Sequence, residues 1–160
     1  MKNQEKTTNL LGEFECSIDA KGRILLPSTL KKQIPSSSKN RFVINRGFEG
    51  CLVLYPKNEW EKESAELNKL NIYVKENREF IRAFMNGATE LSLDGNSRLL
   101  FPKSLLEFAN IGKEIILFAY SNRVEVWAKA KYKKLIKSEP EDFARLAEQV
   151  MGKKDREGGG

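Results

Sequence analysis

Arg23 and Arg98 each stand four residues after an aspartate, Asp19 and Asp94, and each opens an apolar run that ends in proline. Their surroundings, IDAKGRILLP at 18–27 and LDGNSRLLFP at 93–102, are one phrase written twice, 75 positions apart. An arginine closing a tight turn presents a rigid fork of N–H donors that matches phosphate oxygens, or O6 and N7 of guanine. Lys21 lies two residues before Arg23, so on a strand-like path it projects to the same side and adds a second cation. The same spacing also suits an Asp19–Arg23 ion pair that only ties its own turn, and pattern alone leaves the two readings balanced. Charge tips the balance toward nucleic acid. Between Ala20 and Arg46 there are seven basic residues (Lys21, Arg23, Lys31, Lys32, Lys39, Arg41 and Arg46) and no acid. The equivalent stretch, Gly95 to Ser121, has Arg98, Lys103 and Lys113 against Glu107 and Glu114. The first copy is therefore expected to hold the stronger electrostatic footprint, with Lys31, Arg41 and Arg46 as further DNA contacts and Arg98 as a fainter one.

Other chemistries find little support. The chain has no histidine, which removes the commonest general base and metal ligand. Cys16 and Cys51 sit in apolar, strand-like runs without a second ligand nearby and read as buried free thiols. No glycine-rich phosphate loop or nucleophile motif occurs, and Glu61 and Glu63 read as a solvated helix face. Neither an enzyme nor a cofactor is expected. Phe14, Phe42, Tyr55, Trp60, Phe80 and Phe84 fall at core spacing, not as a stacking platform for bases.

The chain has 160 residues, 40% apolar and 31% charged, with net charge +6, the composition of one folded domain or two small ones. No apolar run approaches the ~20 residues that span a bilayer, and the N-terminal sequence lacks a signal-peptide core, so a cytoplasmic, nucleoid-associated protein without a membrane partner is expected. Each copy alone is below the roughly 80 residues at which a core becomes secure, so two modules should share a core or oligomerise.

The elements that would position the arginines repeat as well. Phe14, Cys16 and Ile18 alternate with polar residues, as Leu91 and Leu93 do, marking half-buried strands. Asp19 to Gly22 has aspartate first and glycine fourth in a turn, and Arg23 to Leu26 should return as a strand. Pro27 with Leu30 and Ile34, and Pro102 with Leu105, Leu106 and Ala109, suggest short helices. Hairpins follow around Gly47–Gly50 and Tyr120–Asn122. Asn58 and Glu59 resemble a capping pair opening a helix with Trp60, and Phe80, Ile81, Phe84 and Met85 form another stripe. This predicts a first module at 10–56, a helical connector at 57–87, a second module at 88–129, C-terminal helices at 130–151 with Phe143, Leu146 and Val150 on one side, and a disordered tail at 152–160.

LLGEFECSIDAKGRILLP, then RFVINRGFEGCLVLYPKNEW, then the second Asp-x-x-x-Arg phrase with LLFP, resemble the MraZ family of bacterial transcriptional regulators associated with the division and cell wall gene cluster. The resemblance covers about residues 10–137. It implies an α+β fold of two pseudo-symmetric, swapped-hairpin modules of the SpoVT-AbrB type sharing a β-barrel-like core. It also implies subunits closed into a ring and binding of short direct repeats in promoter DNA. The signature falls on Asp19 and Arg23, with Gly22 shaping the turn and Lys21 between them, and on Asp94 and Arg98. The second copy departs from the family in having Ser97 where glycine is expected and Asn96 at the place of Lys21. Either Ser97 takes the unusual backbone angle under strain, or Gly95 takes it over and leaves Arg98 as a structural partner of Asp94. The alternatives are an AbrB-like regulator or antitoxin with a protein partner, and a structural ring without nucleic-acid function.

Overall fold

A computed structural model describes residues 7–137 and 139–158, the last six of these by backbone alone. The chain divides into two compact units, one running to Lys129 and one from Ala130.

The first unit holds all the strands of the described residues. β1 (Leu10–Ser17), β2 (Arg23–Leu25), β3 (Arg41–Arg46) and β4 (Leu52–Pro56) are followed by β5 (Thr89–Ser92), β6 (Arg98–Leu100), β7 (Glu114–Ser121) and β8 (Arg123–Ala128). Short helices α1 (Ser28–Lys31) and α4 (Lys103–Phe108) follow β2 and β6, while α2 (Lys57–Leu67) and α3 (Lys75–Phe84) follow β4. α5 (Lys129–Leu135) and α6 (Pro140–Gly158) follow β8, so the helices at 57–84 occupy the same place in the order of elements as the C-terminal pair.

The two copies interlock. Six strands form an antiparallel sheet in the order β1-β7-β8-β4-β3-β5, in which β1 of the first copy pairs with β7 of the second and β5 of the second with β3 of the first. Between these exchanged edges, β4 and β8 meet at the centre. β2 and β6 form a separate two-stranded ribbon with Arg23 opposite Leu100, Ile24 opposite Leu99 and Leu25 opposite Arg98. β2 is thus not the return strand of a hairpin with β1, to which one bridge, Ile18 to Ile24, connects it. The reason lies in burial: the exchange places apolar side chains of both copies in one core, including Leu10, Ile24, Leu30, Phe42, Leu54, Leu99, Leu105, Leu117 and Val126. Sharing gives each short module the buried area it lacks alone. The sheet ends at β1 and β5 without closing into a barrel.

Three local expectations change. α2 begins at Lys57 behind Pro56, with no side-chain cap; Asn58 donates to Glu59 instead, and Glu59 is buried, accepting also from Thr8 and Lys62. Pro56 occupies the cap position itself and has no side-chain acceptor to offer the first-turn N–H groups. Glu63 lies on no open face: Arg123, from the other copy's β8, binds it at 2.6 Å. α6 remains helical to Gly158, beyond the expected end at 151, because lysine, arginine and glutamate favour helix enough to offset Gly152; 159–160 lie outside the described residues. Of the aromatics, Phe42, Tyr55 and Trp60 are buried, whereas Phe80 is half exposed.

Candidate nucleic-acid interface

The first turn is built by one carboxylate. Asp19 Oδ1 accepts the backbone N–H groups of Lys21 and Arg23, both at 2.9 Å, and Oδ2 accepts Arg23 Nε at 2.8 Å. Backbone bonds from Asp19 to Arg23 O and from Gly22 to Asp19 O close the loop. Gly22 has φ +89°, which its missing Cβ allows without strain. The ion pair weighed against DNA contact is therefore present, yet it uses only Nε. Among the described residues the two terminal guanidinium nitrogens make no hydrogen bond, which leaves them for an end-on fork.

The second turn repeats the backbone and changes the side chains. Asp94 Oδ1 accepts Asn96 N at 2.8 Å and Arg98 N at 2.9 Å, with the same closing bonds from Asp94 to Arg98 O and from Ser97 to Asp94 O. Ser97 takes φ +61° and Gly95 has no positive φ, so the alternative in which Gly95 takes over the turn is overturned. Arg98 is not demoted to a partner of Asp94: among the described residues its guanidinium makes no ion pair or hydrogen bond. Both carboxyls are held below the ordinary aspartate value. For Asp19 the main cause is the Arg23 backbone N–H, helped by the guanidinium and the Lys21 N–H; for Asp94 it is the Arg98 backbone N–H, then the Asn96 N–H and the charges of Arg98 and Arg23.

The exchange of elements redistributes the basic run. Lys31, from α1 of the first copy, donates to the Ser97 hydroxyl at 2.7 Å and so stands at the second turn. At the equivalent place in the first turn, Leu106 of α4 lies over Gly22. Lys103, also of α4, lines a groove of about 410 Å3 with Asp19, Lys21 and Glu107. The second turn thus gains a cation that its own stretch of sequence does not hold. The sequence counts Lys103 with the second copy, and only the exchange brings it to the groove at the first turn.

Arg41 stands at the margin of this group, and Arg46 lies outside it. Arg41 faces Ser92 on β5, two residues before Asp94, and is drawn toward Glu90 at 3.5 Å, which also binds Lys57 at 2.6 Å. Arg46 ends β3 five residues further, about 16 Å along the strand. Its guanidinium lies 4.5 Å over the Phe108 ring in a cavity of about 520 Å3 shared with Tyr55, Phe84 and Arg123. Cys51 is buried, its thiol donating to Phe48 O at 3.3 Å, and Cys16 is half-buried, with burial pushing its thiol up; neither forms a disulfide among the described residues.

Tandem modules that exchange strands and present paired Asp-x-x-x-Arg turns on a short ribbon define the class of this protein. The family described as "MraZ protein, putative antitoxin-like" matches it twice, over residues 10–83 and 84–153. It is 47% identical to a transcriptional regulator MraZ of Christiangramia forsetii over 94% of this chain and 97% of that protein. It is 44% identical to one of Flavobacterium psychrophilum, over 89% and 92% of the respective chains, and 39% identical to one of Cytophaga hutchinsonii, over 91% and 97%. The chain belongs to the MraZ family.

Proposed function

We propose that this protein is a DNA-binding transcriptional regulator of the nucleoid that recognises short direct repeats in a promoter of the division and cell wall cluster. Its relatives bear the name transcriptional regulator. One observation carries the reading: the β2–β6 ribbon bears Arg23 and Arg98 on a single outer face, each oriented by an aspartate-built turn, with Lys21, Lys31 and Lys103 around it. A two-stranded ribbon fits the major groove, where arginine forks match guanine and lysines neutralise phosphates. One ribbon covers too little surface for tight binding. Several ribbons in a closed homo-oligomeric ring gain effective concentration when the repeats match their spacing.

Footprinting on the chain's own upstream promoter tests partner and spacing together. Protection of regularly spaced repeats is expected. Duplexes with one, two and three repeats should then bind with steeply rising affinity that falls between low and physiological salt. Absence of any retained duplex at low salt would refute the reading and leave a structural ring. A second reading, as an antitoxin with a protein partner, draws on α6, where Phe143, Leu146, Val150 and Met151 are all more than half exposed. Removal of α6 with unchanged DNA binding and loss of a co-purifying protein would favour it.

A further inference from the structure

The outer face of the ribbon is a square of four side chains, and only two of them are cations. Ile24 and Leu99 are fully buried, so the alternation of the strands turns Arg23, Leu25, Arg98 and Leu100 outward together. The antiparallel register places Arg23 opposite Leu100 and Leu25 opposite Arg98, with arginines on one diagonal and leucines on the other. Leu25 is 58% and Leu100 55% exposed, although the next residues in both copies, Leu26 and Phe101, are at 2%. A leucine left in water at the same place in both copies, between arginines, serves neither the core nor charge.

We infer that Leu25 and Leu100 read thymine: their methyl groups meet the C5-methyl of thymines beside the base pairs that Arg23 and Arg98 contact. This rests on the DNA-binding reading above. The thymine methyl is the apolar group that the major-groove edge of a base pair offers, and phosphates give leucine nothing to bind. Reach fits too. Directly opposed side chains in a ladder are about 5 Å apart at Cβ, and base pairs are spaced about 3.4 Å, so a leucine beside an engaged arginine lies over a neighbouring base pair. The ribbon therefore selects guanine and thymine in close succession.

The test compares the full chain on a duplex of its own promoter repeats with the same duplex carrying deoxyuridine for every thymine, which removes only the methyl groups. Wild type should lose about fourfold in affinity per contacted methyl. L25A/L100A should bind the thymine duplex more weakly and lose the preference for thymine. Both leucines are exposed, and an unchanged thermal midpoint confirms the fold. Equal wild-type affinity for the two duplexes would overturn the inference while the DNA reading stands; binding to neither would overturn both. A double variant that keeps the preference, or that instead changes the subunit number by light scattering, would make the leucines subunit contacts and also overturn it.

Discussion

The turn at Asp19–Arg23 and the turn at Asp94–Arg98 hold one backbone with different side chains. Both close through the same hydrogen bonds to aspartate, and both need a positive φ at the fourth position. The first meets that need with Gly22 and ties its arginine to Asp19. The second meets it with Ser97, whose hydroxyl accepts from Lys31, and leaves Arg98 untied among the described residues. Duplication thus preserved the hydrogen-bonded frame and let charge and rigidity drift around it. The first arginine is held by a side-chain hydrogen bond and partly neutralised, whereas the second acts on Asp94 through its charge without such a bond.

The largest effect that separates the turns should come from their arginines. Arg23→Ala and Arg98→Ala should each cost about 1 to 3 kcal/mol of DNA binding per engaged subunit, read by fluorescence anisotropy. Arg23→Ala should lie toward the upper end, because it leaves the Asp19 carboxylate unpaired against DNA. Equal losses would mean that the Asp19 tie has no bearing on recognition. Full affinity in Arg23→Ala with its circular dichroism intact would remove the first turn from the interface.

The next contrast is in stability. Gly22→Ser places a side chain at φ +89°, with the new Cβ 3.3 Å from Phe101 O and 3.5 Å from Leu106 Cδ1. A loss of about 1 to 2 kcal/mol in urea unfolding is expected. Ser97→Gly relieves about 1 kcal/mol of backbone strain but loses the Lys31 hydrogen bond, of similar worth, so its stability should stay within about 1 kcal/mol of wild type. A large gain would show that the Lys31 contact contributes nothing.

How much of this contrast the sequence reveals depends on the range of each interaction. The alternation of Phe14, Cys16 and Ile18 sets which side of β1 is half-buried, and Asp19 with Gly22 sets the turn, because both are local. Alternation says which face is buried, not which strand lies alongside. For that reason the pairing of β1 with β7 is legible only through the family resemblance, and the arrival of Lys31 at Ser97 not at all. Glu63 fails in the same way, since its partner Arg123 is 60 residues away in sequence.

The smallest effect is electrostatic and probes the frame itself. Asp19 and Asp94 both titrate below their ordinary value of 3.8. A carboxyl depressed in the folded state stabilises it above the unfolded pKa, and that contribution disappears as pH falls through the folded pKa. Both turns should therefore be unchanged through the neutral range and loosen only below 3.8. Carbon-13 NMR titration of the carboxyl groups reads both midpoints. Arg23→Ala should raise the Asp19 midpoint only part of the way back, because the backbone N–H of residue 23, the main cause of the depression, survives the substitution. Arg98→Ala should move Asp94 less, since no guanidinium hydrogen bond is lost there and the charge of Arg23 still acts across the ladder. Equal shifts in the two variants would mean that Arg98 pairs with Asp94 in solution as Arg23 does with Asp19, and the contrast between a tied and an untied arginine would fall.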